Sequence, residues 1–80
     1  MTAEQQFKKL GFEKFYVNDS HFWYTKYLGN STKITLEFSN GSFEASCITE
    51  TRKKIEITSY ELNRDLLKAV VKQLKEIKWA

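Results

Sequence analysis

The sequence predicts an α+β fold: a two-layer sandwich with an N-terminal helix, an antiparallel meander of four to five strands and a C-terminal helix, both helices on one sheet face. Three observations carry this. Both ends hold apolar residues at helical spacing behind capping signals. Residues 12–58 switch to period two and turn β-branched and aromatic. The clusters "VNDS", "LGNS", "SNGS" and "TETRK" punctuate that stretch as turns. With 80 residues and 41% hydrophobic content, the chain reads as a single domain, 1–80, with one packed core.

The first helix starts at Thr2, whose hydroxyl and Gln5 three residues on make a capping box; Ala3, Phe7 and Leu10 share a face, and Gly11 ends the helix. In the meander, Asn40-Gly41 is the strongest hairpin signal. As a two-residue type I′ loop it sets Phe38 opposite Phe43, Leu36 opposite Ala45 and Ile34 opposite Cys47, all on one face. A three-residue loop over 29–31 then places Leu28 opposite Thr32 and puts Lys26, Tyr24 and Phe22 opposite Ile34, Leu36 and Phe38. A two-residue Asn18-Asp19 loop pairs Val17 with Ser20 and Phe15 with Phe22, adding Phe15 and Val17 to the core. The outer face then carries Phe12, Lys14, Tyr16, His21, Trp23, Thr25 and Tyr27 beside Lys33, Thr35 and Glu37. A four-residue loop after Leu28 would instead send Phe22 and Tyr24 outward and Trp23 and Tyr27 inward.

The fifth strand, "KIEIT", is expected to face Ile55 and Ile57 inward. Thr58 and Glu61 read as a second capping box opening a helix whose apolar face is Leu62, Leu66, Leu67, Ala69, Val70, Leu74 and Ile77. Arg64, Lys68, Lys72, Lys75 and Lys78 form its opposite, solvated side, with intrahelical pairs Asp65 to Lys68 and Lys72 to Glu76.

Composition narrows the function classes. The net charge of +3 is a mild excess, not a polybasic signature. Cys47 is the only cysteine, which excludes an internal disulfide and multi-cysteine zinc sites and fits a reducing, cytoplasmic setting. "MTAEQQFKKL" has no apolar signal region, and no stretch reaches the roughly 20 apolar residues of a membrane span, so neither leader nor anchor is expected. The glycosylation-like triplets at Asn18, Asn30 and Asn40 read as turns. His21 has no second histidine at ligand spacing, Cys47 alternates with core residues, and no phosphate loop or nucleophile triad stands out. No metal, cofactor, catalytic residue or small-molecule substrate is therefore expected, and the protein reads as non-enzymatic.

The candidate site is the outer sheet face, with Phe12, Lys14, Tyr16, Trp23, Tyr27 and Lys33 as its binding residues. Its expected occupant is a protein, either a partner or a second copy in a homodimer. Single-stranded nucleic acid stacked on the aromatics is the alternative, and cross-strand packing or covering chain ends is the third reading. Glu37, Glu44 and Glu56, assigned to the same face, count against nucleic acid.

The segments "MTAEQQFKKLGF" and "LKAVVKQLKEIKW" resemble the ends of small uncharacterised proteins of Gram-positive bacteria and their phages and prophages. Those proteins often begin with Met-Thr-Ala-Glu running to Phe, Leu-Gly and an aromatic, and often close on a Lys-Gln helix ending in Trp. The likeness covers roughly a third of the chain and rests on capping and packing residues. It implies a phage-type accessory protein.

Overall fold

The helix-to-sheet junction at Gly11 shows how the covered side is built. In the computed structural model, which describes residues 1–29 and 31–78, helix α1 spans Ala3–Lys9. The Thr2 hydroxyl accepts from the Gln5 amide, and the Gln5 side chain accepts from the Thr2 amide, so the capping box forms. Gly11 takes φ +93°, the left-handed value that ends the helix at little cost only for glycine. The Gly11 amide donates to Lys8 O and the Phe12 amide to Phe7 O, closing a Schellman motif. Its hydrophobic contact is Phe7 against Phe12, edge to face at 6.1 Å.

Five strands follow: β1 Glu13–Asn18, β2 His21–Gly29, β3 Thr32–Ser39, β4 Ser42–Glu50 and β5 Ile55–Ser59. They form one antiparallel sheet in the order β1-β2-β3-β4-β5. Asn40 and Gly41 both have positive φ, as a type I′ turn requires, and the β3–β4 register is the expected one throughout. Phe22, Tyr24 and Lys26 lie opposite Phe38, Leu36 and Ile34, so the four-residue loop alternative is not adopted. Strand β2 does run one residue further than expected. Gly29 rather than Leu28 faces Thr32, and Leu28 is taken up in a bulge. The "NST" turn begins on Asn30, which lies outside the described residues, as does Trp79 of the C-terminal segment.

Three expectations are corrected. The first is β1, where Phe15 faces Trp23 and Tyr16 faces Phe22, one residue out of step. Its two ends explain this. Phe12 is drawn into the core by the Schellman contact, so alternation turns Lys14 and Tyr16 to the covered side. At the other end the loop is Asp19-Ser20, with the Asn18 side chain accepting from the Ser20 amide, and a bulge at Val17 absorbs the mismatch. Val17 is exposed rather than core.

The second correction is β5. Ile57 pairs with Ile48 and Ile55 with Glu50, which places both isoleucines on the open face, 66% and 60% exposed. The residues between Glu50 and Ile55 form the hairpin loop, closed by the Thr51 amide donating to Lys54 O and by the Thr51 hydroxyl, and that loop length sets the register.

The third is the C-terminal helix. Helix α2 spans Arg64–Glu76, and Asn63, not Thr58, caps it by accepting from the Leu66 amide at 2.9 Å. Thr58 stays in β5 opposite Cys47, and Leu67 is half exposed.

The core lies between the helices and the covered sheet face: Ala3, Phe7, Phe12, Phe22, Tyr24, Ile34, Leu36, Phe38, Leu66, Ala69 and Val70. Tyr24 is fully buried, stacks on Phe7 at 4.0 Å and donates its hydroxyl hydrogen to Gln73 Oε1 at 2.5 Å. At the far end the Ala3 amide donates to Glu76 Oε2, tying α1 to α2. Burial, with the nearby charges of Glu4 and Glu76, raises the Tyr24 phenol above its ordinary pKa of 10. The native state thus holds that proton more tightly than the unfolded chain, and stability is whole below pH 10 and declines as pH climbs above it.

Tyr24→Phe should cost about 1–3 kcal/mol in urea unfolding, because it leaves the buried Gln73 carbonyl without a donor. Replacing both partners, Tyr24→Phe with Gln73→Leu, should recover most of that loss.

Candidate functional site

The face of the sheet turned away from the helices is ordered in rows by the strand registers. One row runs Phe15, Trp23, Glu37, Glu44; a second runs Glu13, Thr25, Thr35, Ser46, Ser59; a third runs Tyr27, Lys33, Ile48, Ile57. Directly opposed side chains on one face lie close enough to pack, so each row is a contact series. The first row opens with an aromatic ridge. The Phe15 and Trp23 rings are 5.9 Å apart and nearly parallel at 11°, and His21 tilts against Trp23 at 5.5 Å. His21 Nε2 lies 2.9 Å from Glu37 Oε2, which gives Glu37 a partner, while Glu44 beside it stays exposed.

The middle row is a polar trough between this ridge and the aliphatic third row. Thr25 is buried, and the Thr35 hydroxyl is shielded from solvent with no hydrogen-bond partner among the described residues. In the third row Tyr27 is 64% exposed and sits across from Lys33. Tyr27, Gly29, Lys33, Ile48 and Glu50 line a hollow of about 370 Å³, open to solvent, at this end of the face.

Of the six residues expected to bind, Trp23, Tyr27 and Lys33 share the open face. Phe12, Lys14 and Tyr16 do not, because the shifted β1 register turns them to the covered side. Phe12 is core. The Lys14 ammonium lies 4.9 Å from the Phe22 ring centroid and 3.4 Å from Glu4 Oε1, closing the core's edge with its stem buried and its charge paired. The Tyr16 hydroxyl donates to Asp19 Oδ1 across the β1–β2 loop, a bond that raises the phenol pKa.

Sequence reasoning missed Phe15, Ile55 and Ile57 on this face. A signal for Phe15 was present: a Schellman ending at Gly11 pairs Phe7 with Phe12, which sends Phe15 outward. The signal for Ile57 was Ile48, the one aliphatic at an outward position of β4, which calls for an apolar partner across the ladder.

Among the described residues no three His, Cys, Asp or Glu side chains gather as metal ligands, and no helix is long and apolar enough to cross a membrane. Comparison with known protein families, curated proteins and solved structures found no match.

A double-mutant cycle on Phe15→Ala and Trp23→Ala should give a coupling of about 0.5–1.5 kcal/mol in thermal or urea unfolding, the value of a stacked pair. A coupling near zero would contradict the β1 register.

Proposed function

We propose that this chain is a non-enzymatic accessory domain that docks a partner protein on the open face of its sheet. The observation that supports it most is the pair of apolar rows, Phe15 with Trp23 and Tyr27 with Ile48 and Ile57, on a face that neither helix covers. Tyr27 and Ile57 are exposed and Phe15, Trp23 and Ile48 half-buried, and apolar side chains grouped in this way with charges around them are the composition of protein contact surfaces.

Charge defines the partner's chemistry. Glu13, Glu37, Glu44 and Glu50 stand on this face against Lys33, so a partner bringing lysine or arginine to its margins fits best. The same carboxylates oppose a phosphate backbone and weigh against the nucleic-acid reading. They also weigh against a two-fold pairing of open faces, which sets acidic surface on acidic surface. A phage-type accessory role in a reducing, cytoplasmic setting agrees with the resemblance of the chain's ends and with the single thiol, Cys47.

Immobilised wild-type protein should retain a specific basic protein from a lysate of the source cells, and Trp23→Ala with Ile48→Ser should release it without unfolding the domain. Equal retention by the variant, or salt-sensitive binding of oligothymidylate in place of protein, would contradict the proposal.

A further inference from the structure

The sheet has two edges, and they differ in how they are guarded. Strand β1 carries devices that stop edge pairing: the bulge at Val17 and the inward-pointing charge of Lys14. Strand β5 has no bulge, and its one covered-side charge, Glu56 opposite Thr49, is exposed and paired with Lys54 at the same strand end at 2.6 Å rather than turned against the core. Its ladder with β4 is regular, the chain has no proline, and every residue from Ile55 to Ser59 is exposed.

The direction of its free backbone groups follows from one bond. The Tyr60 amide donates to Ala45 O at 3.0 Å, in step with the Ser59–Ser46 and Thr58–Cys47 pairs. Residues of that parity, Thr58 and Glu56, turn their main-chain groups toward β4. The N–H and C=O groups of Ile55, Ile57 and Ser59 therefore point away from the sheet, at its edge.

We infer that β5 pairs antiparallel with β5 of a second copy of this chain, about a two-fold axis through Ile57. In that register the Ile57 amide of each copy donates to the Ile57 carbonyl of the other, and Ile55 exchanges bonds with Ser59 of the second copy, so every outward group is satisfied. The neighbouring symmetric registers are worse. An axis at Glu56 sets two carboxylates directly opposite each other, and one at Thr58 leaves the Ile55 amide unpaired.

Side chains agree with the Ile57 axis. The open-face row Tyr27, Lys33, Ile48, Ile57 continues into its own mirror sequence in the second copy, with isoleucine on isoleucine at the join. Lys53 falls level with Glu61 of the second copy, twice by symmetry. The pairing does not rest on the docking proposal, since it uses the edge and leaves the open faces free. It joins them into one ten-stranded surface that a partner meets as two adjacent copies.

Light scattering over increasing concentration should show a monomer passing to a dimer. Over the same range, amide exchange at Ile55, Ile57 and Ser59 should slow at least tenfold, while Glu56 and Thr58 are protected throughout. Ile57→Pro removes an N–H that β4 does not use and should abolish the dimer. Ile57→Cys in a Cys47→Ser background should cross-link on oxidation, because residues paired in this way stand about 5.5 Å apart at Cα, within disulfide reach. The cross-link decides the matter if the proline variant does not fold. A monomer at millimolar concentration overturns the inference. So does a dimer with rapid exchange at those three amides, or a dimer lost in Trp23→Ala and kept in Ile57→Pro.

Discussion

The left-handed pair Asn40 and Gly41 constrains the rest of the molecule, because a turn with φ of +47° and +86° admits only one register between β3 and β4. A slip of one residue would carry Ile34, Leu36 and Phe38 from the core to water and replace them with Lys33, Thr35 and Glu37. With β3 fixed, β2 lies down so that Phe22 stacks on Phe38 at 5.0 Å and Tyr24 reaches beneath Phe7. Tyr24 in turn gives Gln73 its buried partner and so seats α2 beside α1. The two-layer arrangement, with one sheet face covered and one open, follows from that sequence of contacts.

How much of this was legible depended on how local each signal was. The β3–β4 register, the first capping box and the facing of Phe22 and Tyr24 came from loop chemistry and alternation within a few residues. Strand β1 departs from the expected register because its loop holds Asn18, Asp19 and Ser20, any adjacent two of which make a plausible turn. The choice is made by Phe12 packing on Phe7 at the other end of the strand, with Val17 bulged to reconcile the two. Thr58 looks like a helix cap in isolation, yet its place opposite Cys47 in the ladder outweighs a cap that Asn63 supplies equally well. Ile55 and Ile57 defeated the rule that isoleucine points inward. Tertiary register overrides hydrophobicity where an edge strand has no layer above it.

The uncovered face has an energetic character of its own. It holds a shielded Thr35 hydroxyl with no partner among the described residues, together with exposed Tyr27 and Ile57, features that a sheet selected only for stability would replace with paired polar residues. Charge is divided as well. Glu13, Glu37, Glu44 and Glu50 lie on the open face, while the exposed lysines of α2 lie on the far side of the molecule's other layer, beside half-exposed Leu67 and Val71. A mild overall excess of positive charge therefore hides an acidic, apolar surface.

Hydroxyl-radical footprinting of the isolated chain tests the two-faced arrangement most directly, because Tyr24 and Tyr27 share one strand and one chemistry but differ in exposure from 0% to 64%. Tyr27, Trp23 and Phe15 should oxidise readily while Tyr24, Phe22 and Phe7 are spared. Oxidation of Tyr24 at a rate equal to or above that of Tyr27 would contradict the assignment of the open face.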